Sequence, residues 1–443
     1  MKTDRRSFLK KLAAVSAAPL ILPSCVRLAE RKPSDRIVMG FIGMGIQNRG
    51  LLRGFLNQRI CRVVAVCEVD TTRREDAQQS VNKFYTERPE LGSADCAAYN
   101  DFRELIARDD IDAVCIATPD HWHAIPMIAA LQTGKDVYCE KPLTHNIHEA
   151  VEVIKAVKKY RRVLQTGSMQ RSMQEFRVAC ELVRNGAIGT IDRVECSFGP
   201  PGKPCDLPEE PMEPGLDWDM WVGPAAMRPY NSVLSPRGLH DHFPDWRSYK
   251  EFGGGMVCDW GAHHLDIAQW GLGMDESGPI EVHPPDDPGA QNGAVLLYDN
   301  GVKVIHVSGF GAHFFGSDGE VKVNRGRIEF YRDGKKVAGY NREDGGSLQA
   351  TLRQVDDEFL SDAKIKLYRS RNHIRDFLDC VRSRTRPITN EEVGGRSAIC
   401  CHLMNQAYYN HAVIKWEPKQ MRFARGSGKA EWLTRDYRSP WRL

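Results

Sequence analysis

The sequence predicts an α/β protein: a doubly wound parallel sheet in the first part, then an α+β unit with a mostly antiparallel sheet. Three observations predict it. Apolar strand-like runs alternate with helical patterns between Arg36 and Tyr160. The texture turns β-rich, with hairpin signals, after about residue 165. A chain of 443 residues is also longer than one core comfortably fills.

The elements follow in order. IVMGFIG (37–43) is a buried strand and LLRGFL (51–56) starts a helix. CRVVAVCEV (61–69) is a second strand, and TTRREDAQQSVNKFY (71–85) a helix with a polar face. DDIDAVCIATP (109–119) is a strand stopped by Pro119, and HAIPMIAALQTG (123–134) a helix ending at Gly134. KDVYCEKP (135–142) and HNIHEAVEVIKAVKKY (145–160) repeat the pair. Segments 188–199, 293–310, 319–334 and 335–341 are β-rich, with Asp-Asn-Gly and Arg-Asp-Gly turns typical of hairpins. Residues 199–250, rich in Pro, Trp, Asp and His, read as a long ordered loop with a functional role. Helices over 371–384 and 397–414 close the fold. The predicted division is an export signal (1–24), a tether (25–35), a nucleotide-binding unit (36–160) and a substrate-binding α+β unit (161–443).

The N-terminus reads as a targeting segment. Arg5-Arg6-Ser7-Phe8-Leu9-Lys10 is a twin-arginine pattern, and the apolar run LAAVSAAPLILPS after it is shorter than the about 20 residues a spanning helix needs. The expectation is export to the periplasm by the twin-arginine route. Leu22-Pro23-Ser24-Cys25 resembles a lipoprotein cleavage box, so Cys25 is a candidate lipid anchor on a membrane facing the periplasm. The formal net charge is +3; the first 24 residues carry +4 of it, from Lys2, Arg5, Arg6, Lys10 and Lys11 against Asp4, leaving the body at −1. A near-neutral body gives no footprint for nucleic acid. Of the 13 cysteines, Cys61, Cys67, Cys115 and Cys139 lie in strand-like runs, where free thiols behave as small hydrophobes. No C-x-x-C pair exists, so no metal site is expected.

The first strand leads into Gly43-Met44-Gly45-Ile46-Gln47-Asn48. Glycines at the first two positions permit a tight turn and close approach of a pyrophosphate to a helix N-terminus. Asn48 stands where the fingerprint has its third glycine. Glu68, at the end of the second strand, is placed to bind adenosine ribose hydroxyls and to repel a 2′-phosphate, which favours NAD with NADP as the alternative. Arg73 and Arg74 pull the other way. Thr118 and Pro119 end the next strand and are candidates for the nicotinamide side. His121 and Glu140 are further cofactor candidates, whereas His123 reads as a structural loop histidine.

Lys141 ends a strand in Glu140-Lys141-Pro142, and GGGMVCDWGAHHLD (253–266) holds Asp259 and His263 at the spacing D-x-x-x-H. A lysine, an aspartate and a histidine can relay a proton at a substrate hydroxyl. In that scheme His263 takes the proton, Lys141 stabilises the alkoxide and Asp259 orients His263, unless Asp259 is simply a helix cap. His264 points about 100° away on a helix, so one of the two histidines faces the substrate. Gln170, Arg171, Trp221, Arg228, Tyr230 and His242 are the candidate substrate contacts.

IVMGFIGMG, CIATPDHWH, YCEKP and GGGMVCDWGAHHLD, in this order, resemble the motifs of the glucose–fructose oxidoreductase, inositol dehydrogenase and rhizopine-catabolism family (Gfo/Idh/MocA), over roughly residues 36–415. The resemblance implies a Rossmann domain and an open-faced antiparallel sheet that carries substrate and a homo-oligomer interface. It also implies NAD or NADP, a sugar or polyol substrate, and catalysis by Lys141, Asp259 and His263. Three functions stand open: a sugar or glycoside oxidoreductase with tightly held NAD, a redox-neutral glycoside-cleaving enzyme or epimerase working through a keto-sugar, and a non-catalytic sugar-binding protein.

Overall fold

The computed structural model describes residues 36–443. The twin-arginine segment, the tether and Cys25 lie outside the described residues. Six strands form the first sheet: β1 (Ile37–Ile42), β2 (Cys61–Cys67), β3 (Ala97–Tyr99), β4 (Ala113–Ile116), β5 (Asp136–Cys139) and β6 (Leu164–Thr166). Their order is β3-β2-β1-β4-β5-β6, and every pair is parallel. Strand order reverses between β1 and β4, which opens a crevice at their carboxyl ends. All but the edge strand β3 are largely buried on both faces, covered by helices that include α1 (Ile46–Leu56), α2 (Thr71–Thr86), α3 (Phe102–Ile106), α4 (Ala124–Gln132) and α5 (Ile147–Tyr160). Asp70 caps α2 through Arg73 N, and Asn146 caps α5 through Glu149 N.

The second sheet has ten strands. They are β7 (Ile191–Ser197), β8 (Glu281–His283), β9 (Val295–Leu297), β10 (Lys303–Val307), β11 (Ala312–Gly316), β12 (Gly319–Asn324), β13 (Arg327–Arg332), β14 (Lys335–Tyr340), β15 (Ile414–Glu417) and β16 (Arg422–Phe423). It runs β14-β13-β12-β11-β7-β10-β9-β8-β15-β16 and is antiparallel except where β7 meets β10. The Arg-Asp-Gly turn joins β13 to β14 with Asp333 at φ 47° and Gly334 at φ 72°, the double left-handed conformation that matches strand twist. One face packs on helices α6 (Gln174–Arg184), α9 (Gly261–Leu272) and α12 (Glu391–Asn410). Helix α12 touches both α5 and α9, which is why it is buried nearly all round, Glu391, Glu392 and Arg396 included.

Residues 37–443 form one compact unit, and the chain crosses between the two sheets repeatedly. The parallel sheet takes its last strand from Leu164–Thr166, past the boundary expected at residue 160. Helix α11 (His373–Ser383) returns to it from the far end of the sequence. Its apolar face sets Phe377 at 6.2 Å from Phe55 and 5.8 Å from Tyr138, edge to face. Trp441, in the C-terminal tail, packs 4.7 Å from Trp122. Thus the stretch expected as one substrate unit also supplies part of the first core.

Residues 199–250 are irregular apart from α7 (Trp218–Val222) and one 3-10 turn, and they have their own apolar cluster around Trp218, Trp221, Tyr230, Trp246 and Tyr249, joined by Phe252 just beyond. The loop is clipped over the end of β2. Thr71 N donates to Gly215 O at 2.8 Å, Asp217 N to Val69 O at 3.1 Å, and Gly238 N to Asp70 Oδ2 at 3.1 Å.

Candidate active site

A cleft of about 480 Å³ follows the carboxyl ends of β1, β2, β4 and β5 and passes under the 199–250 loop. That size suits a buried small molecule. Its first half is built by the glycine turn. Gly43 has φ +79°, and a Cβ there would lie 2.9 Å from Thr118 N, so the backbones of β1 and β4 can meet only at a glycine. Gly45 starts α1 with no side-chain cap, and a Cβ on it would meet no atom within 4 Å. The first-turn N–H groups therefore face open space, the geometry an anion needs. Asn48 turns inward instead: its Nδ2 donates to Gly43 O at 2.6 Å and Ile42 O at 3.2 Å, and Cys115 Sγ donates to its Oδ1 at 3.3 Å. It braces the turn from below and leaves the cradle clear.

Glu68 lines the cleft. One of its oxygens accepts from Met44 N at 2.6 Å and the other from Asp70 N at 2.9 Å, which locks the second strand to the glycine turn. Arg73 bonds the Pro236 and Gly238 carbonyls, and Arg74 bonds Glu68 O and Asn100 Oδ1. Thr118 and Pro119 form the wall, and Thr118 Oγ1 is buried without a partner among the described residues. An uncapped helix start, a glycine cradle and an orphaned hydroxyl fit a dinucleotide.

The second half of the cleft holds charged groups. Lys141 Nζ donates to Asp259 O at 3.0 Å and pairs with Asp259 Oδ1. Arg247 Nε lies 3.8 Å from the same oxygen. Burial alone would raise the Asp259 carboxyl, but Lys141, Arg247 and Arg325 outweigh it and hold it below the ordinary carboxylate range. Asp259 ends the short helix α8 (Gly255–Asp259), so it caps no helix start, and its carboxylate holds Lys141 rather than His263. His263 sits one turn on, in the cleft wall, with Nδ1 buried and unpartnered among the described residues. Burial, then Lys141 and Arg325, keep its imidazole well below the usual histidine range and neutral. His264 faces the other way and bonds Ser197 O.

Glu140 lies beside Lys141 and accepts from Gln47 Nε2 at 3.0 Å and Lys141 N at 3.2 Å. His123 contacts Pro142 O at 2.8 Å and Thr118 O at 3.0 Å, so it ties the Lys141 turn to the end of β4. Four residues without a role in the sequence reading also line this half: Asp120, Arg247, Trp260 and Arg325. Desolvation lifts the Asp120 carboxyl well above its ordinary range against the pull of Arg247 and Lys141. Asp120 and Trp260 stand inside motifs visible in the sequence, whereas nothing local marks Arg247 or Arg325.

Several expected contacts lie elsewhere. Of the six candidate substrate residues, Trp221 alone lines the cleft. Arg171 is a correction: its side chain is 1% exposed and its guanidinium is consumed by Asp266 (2.8 Å) and Asp275 (2.7 Å), which leaves no donor for a substrate. Gln170 is fully buried behind His263; with its amide turned to the orientation that satisfies both neighbours, it donates to His263 O and accepts from Arg325 Nε, each at 3.3 Å. Arg228 bonds the Cys205 and Leu207 carbonyls, and Tyr230 Oη donates to Ser235 O at 3.0 Å, so both staple the long loop to itself. His242 is exposed outside the cleft. His121 is also a correction. It is buried behind the wall, with Nε2 at 3.0 Å from Trp221 O, and desolvation lowers it to about 3. Among the described residues no group of three or more His, Cys, Asp or Glu could hold a metal, and the twelve described cysteines are free.

Comparison with known proteins agrees with this geometry. Residues 37–168 match the family described as "Oxidoreductase family, NAD-binding Rossmann fold", and residues 188–324 match its "C-terminal alpha/beta domain". "Glycosyl hydrolase family 109 protein 2" of Shewanella sp. (strain ANA-3) is 28% identical over 213 residues, 44% of this chain and 46% of that protein. "Inositol 2-dehydrogenase" of Rhodococcus jostii (strain RHA1) is 32% identical over 128 residues, 28% of this chain and 35% of that one. The chain thus spans about half or less of the curated relatives it matches. Among solved structures, the WlbA dehydrogenase from Bordetella pertussis, in complex with NADH and UDP-GlcNAcA, superposes with a TM-score of 0.59 at 16% identity, covering 87% of this chain and 99% of that one. At that identity the likeness is one of fold.

Proposed function

Because the chain belongs to the Gfo/Idh/MocA oxidoreductase family, with its NAD-binding Rossmann fold, we propose that it oxidises a hydroxyl of a sugar, polyol or glycoside at the inner end of this cleft. The observation that carries the reading is the convergence of Lys141, Asp259 and His263 at one end of a cleft whose other end is an uncapped helix start. A bound oxidised nicotinamide supplies the acceptor for the hydride that leaves the carbinol carbon.

The protein moves the proton. Neutral His263 accepts it from the substrate O–H as the C=O bond forms. The Lys141 ammonium stabilises the alkoxide that develops on that oxygen. Asp259 keeps Lys141 aimed and makes no hydrogen bond to His263. Glu140 and Gln47 fix the turn that presents Lys141. Glu68 at the ribose end, with Arg73 and Arg74 drawn to protein acceptors, supports NAD over NADP.

The same reading carries export to the periplasm on the twin-arginine pattern, with Cys25 as the lipid anchor and self-association through the ten-stranded sheet. A folded, exported enzyme needs a cofactor that stays bound, and the loop clipped across the cleft supports retention. A second reading, redox-neutral glycoside cleavage through a keto-sugar, draws on the same loop and on the glycosyl hydrolase family 109 relatives. One assay separates them. A dehydrogenase accumulates absorbance at 340 nm with substrate; a redox-neutral enzyme releases a sugar or aglycone while that absorbance returns to baseline. Loss of both signals in His263→Ala is expected, and turnover close to wild type in that variant contradicts the assignment.

A further inference from the structure

Three cations, Lys141, Arg247 and Arg325, line the reacting end of the cleft. Lys141 and Arg247 share the single carboxylate of Asp259. Glu140 is engaged by Gln47 and by a backbone amide, and desolvation raises its carboxyl. Asp120 makes no ion pair among the described residues, and burial raises its carboxyl well above the ordinary range. Arg325 is a third cation at this end, and among the described residues no carboxylate lies within 4.0 Å of its nitrogens.

Arg325 is also held in place. It occupies the two-residue turn between β12 and β13, with Gly326 at φ +68°. Gly326 N donates to the buried Glu175 Oε1 at 2.8 Å, which pins the tip of the hairpin to the first turn of α6. The guanidinium lies 4.8 Å over the Trp260 ring. With the Gln170 amide in the orientation that satisfies both neighbours, its oxygen lies 3.3 Å from this Nε and its nitrogen lies at the same distance from His263 O. One buried amide therefore sets both the proton acceptor and this arginine. The Nε and the ring face are committed, and the terminal nitrogens, the bidentate edge of the fork, are left for another group.

Building on the oxidoreductase reading, we propose that the substrate is an acidic sugar, a uronic acid or its glycoside, whose carboxylate is received by the Arg325 fork beside His263. A neutral sugar would leave the Arg325 guanidinium without an anionic partner, next to a bound nicotinamide that is itself positive when oxidised. A planar carboxylate matches the two-pronged edge of the Arg325 fork better than a tetrahedral phosphate dianion does.

The test is calorimetric titration of the NAD-loaded protein with D-glucuronate and D-galacturonate, with their neutral isosteres glucuronamide and galacturonamide, and with glucose 6-phosphate. At least one acid should bind about tenfold or more tighter than its amide, the equivalent of one charge-assisted hydrogen-bond pair. That ratio should fall to near one in Arg325→Gln, with Arg325→Lys between the two. An acid-to-amide ratio near one in the wild type, tighter binding of glucose 6-phosphate, a ratio that survives Arg325→Gln, or no binding of either acid overturns the proposal. Absorbance at 340 nm reads the parent hypothesis separately. Reduction by neutral hexoses but not by uronates keeps the oxidoreductase and removes the acidic substrate.

Discussion

The two glycines of the first turn should fail in opposite ways when a side chain is added. Gly45 has φ −65° and ψ −177°, an extended conformation open to any residue, and a Cβ on it meets nothing within 4 Å. Gly45→Val should therefore fold. Replacing glycine by a β-branched residue at a helix N-cap costs about 0.5–1 kcal/mol, which lowers Tm by about a degree in a chain of this length. The added side chain instead fills the space where a pyrophosphate meets the first turn of α1. Losing two charge-assisted N–H bonds at about 1.5–3 kcal/mol each weakens dinucleotide binding by about 3–6 kcal/mol, roughly 10²- to 10⁴-fold in Kd. Gly43→Ala acts differently: φ +79° costs about 1–2 kcal/mol for a non-glycine residue, and the Cβ stands 2.9 Å from Thr118 N, so the nucleotide-free protein itself should melt several degrees lower. Thermal unfolding with and without NAD, together with titration of NAD, reads both effects. Wild-type NAD affinity in Gly45→Val, or an unaffected melt in nucleotide-free Gly43→Ala, refutes this account of the turn.

Three further outcomes follow from the site. Lys141→Met should cut turnover by about 10²- to 10⁴-fold while bound nucleotide persists, as expected for a group that acts on the transition state; a turnover loss under tenfold contradicts that role. Because burial, Lys141 and Arg325 hold His263 well below the ordinary histidine range, its proton-accepting form survives as pH falls through 6.5. The acid limb of kcat/KM should therefore lie below pH 6.5, and a limb at or above that value would mean that the ring titrates as a solvated histidine. Arg171→Ala leaves the buried Asp266 uncompensated and should cost about 3–5 kcal/mol in urea unfolding; a loss under 1 kcal/mol would show that the pair is not the anchor its geometry indicates.

How much of this was legible in the sequence depends on the range of the signal. Four strands and four helices between Ile37 and Tyr160 read clearly, because each is a local period set by burial, whereas β3 and α3, three and five residues long, are too short to show one. The hairpin turn at Asp333-Gly334 read for the same reason, since left-handed conformations select their residues locally. Helix α11 was legible as a helix but not as part of the first core, because a periodic face does not say which sheet it covers. Arg171 was misread on the same principle: a polar residue next to a motif looks available until Asp266 and Asp275, distant in sequence, are seen to consume it. Lys141 and the Asp259–His263 pair were found through their motifs, yet the partner of Asp259 was not, because a spacing of four suggests His263 whereas the fold brings Lys141 across 118 positions. Arg325 carried no signal at all; its role comes from a hairpin tip held by Glu175 and Gln170.

The most direct test of the central claim begins with protein purified without residues 1–24. Bound nucleotide is released by denaturation and identified by mass spectrometry, and wild type and His263→Ala are then followed at 340 nm across a panel of sugars, uronates and glycosides. The account predicts NAD in the wild-type protein and, with at least one carbohydrate, either its reduction or release of a product with the cofactor returned to the oxidised state, both lost in His263→Ala. A protein that carries no nucleotide and binds neither NAD nor NADP when they are added would contradict it.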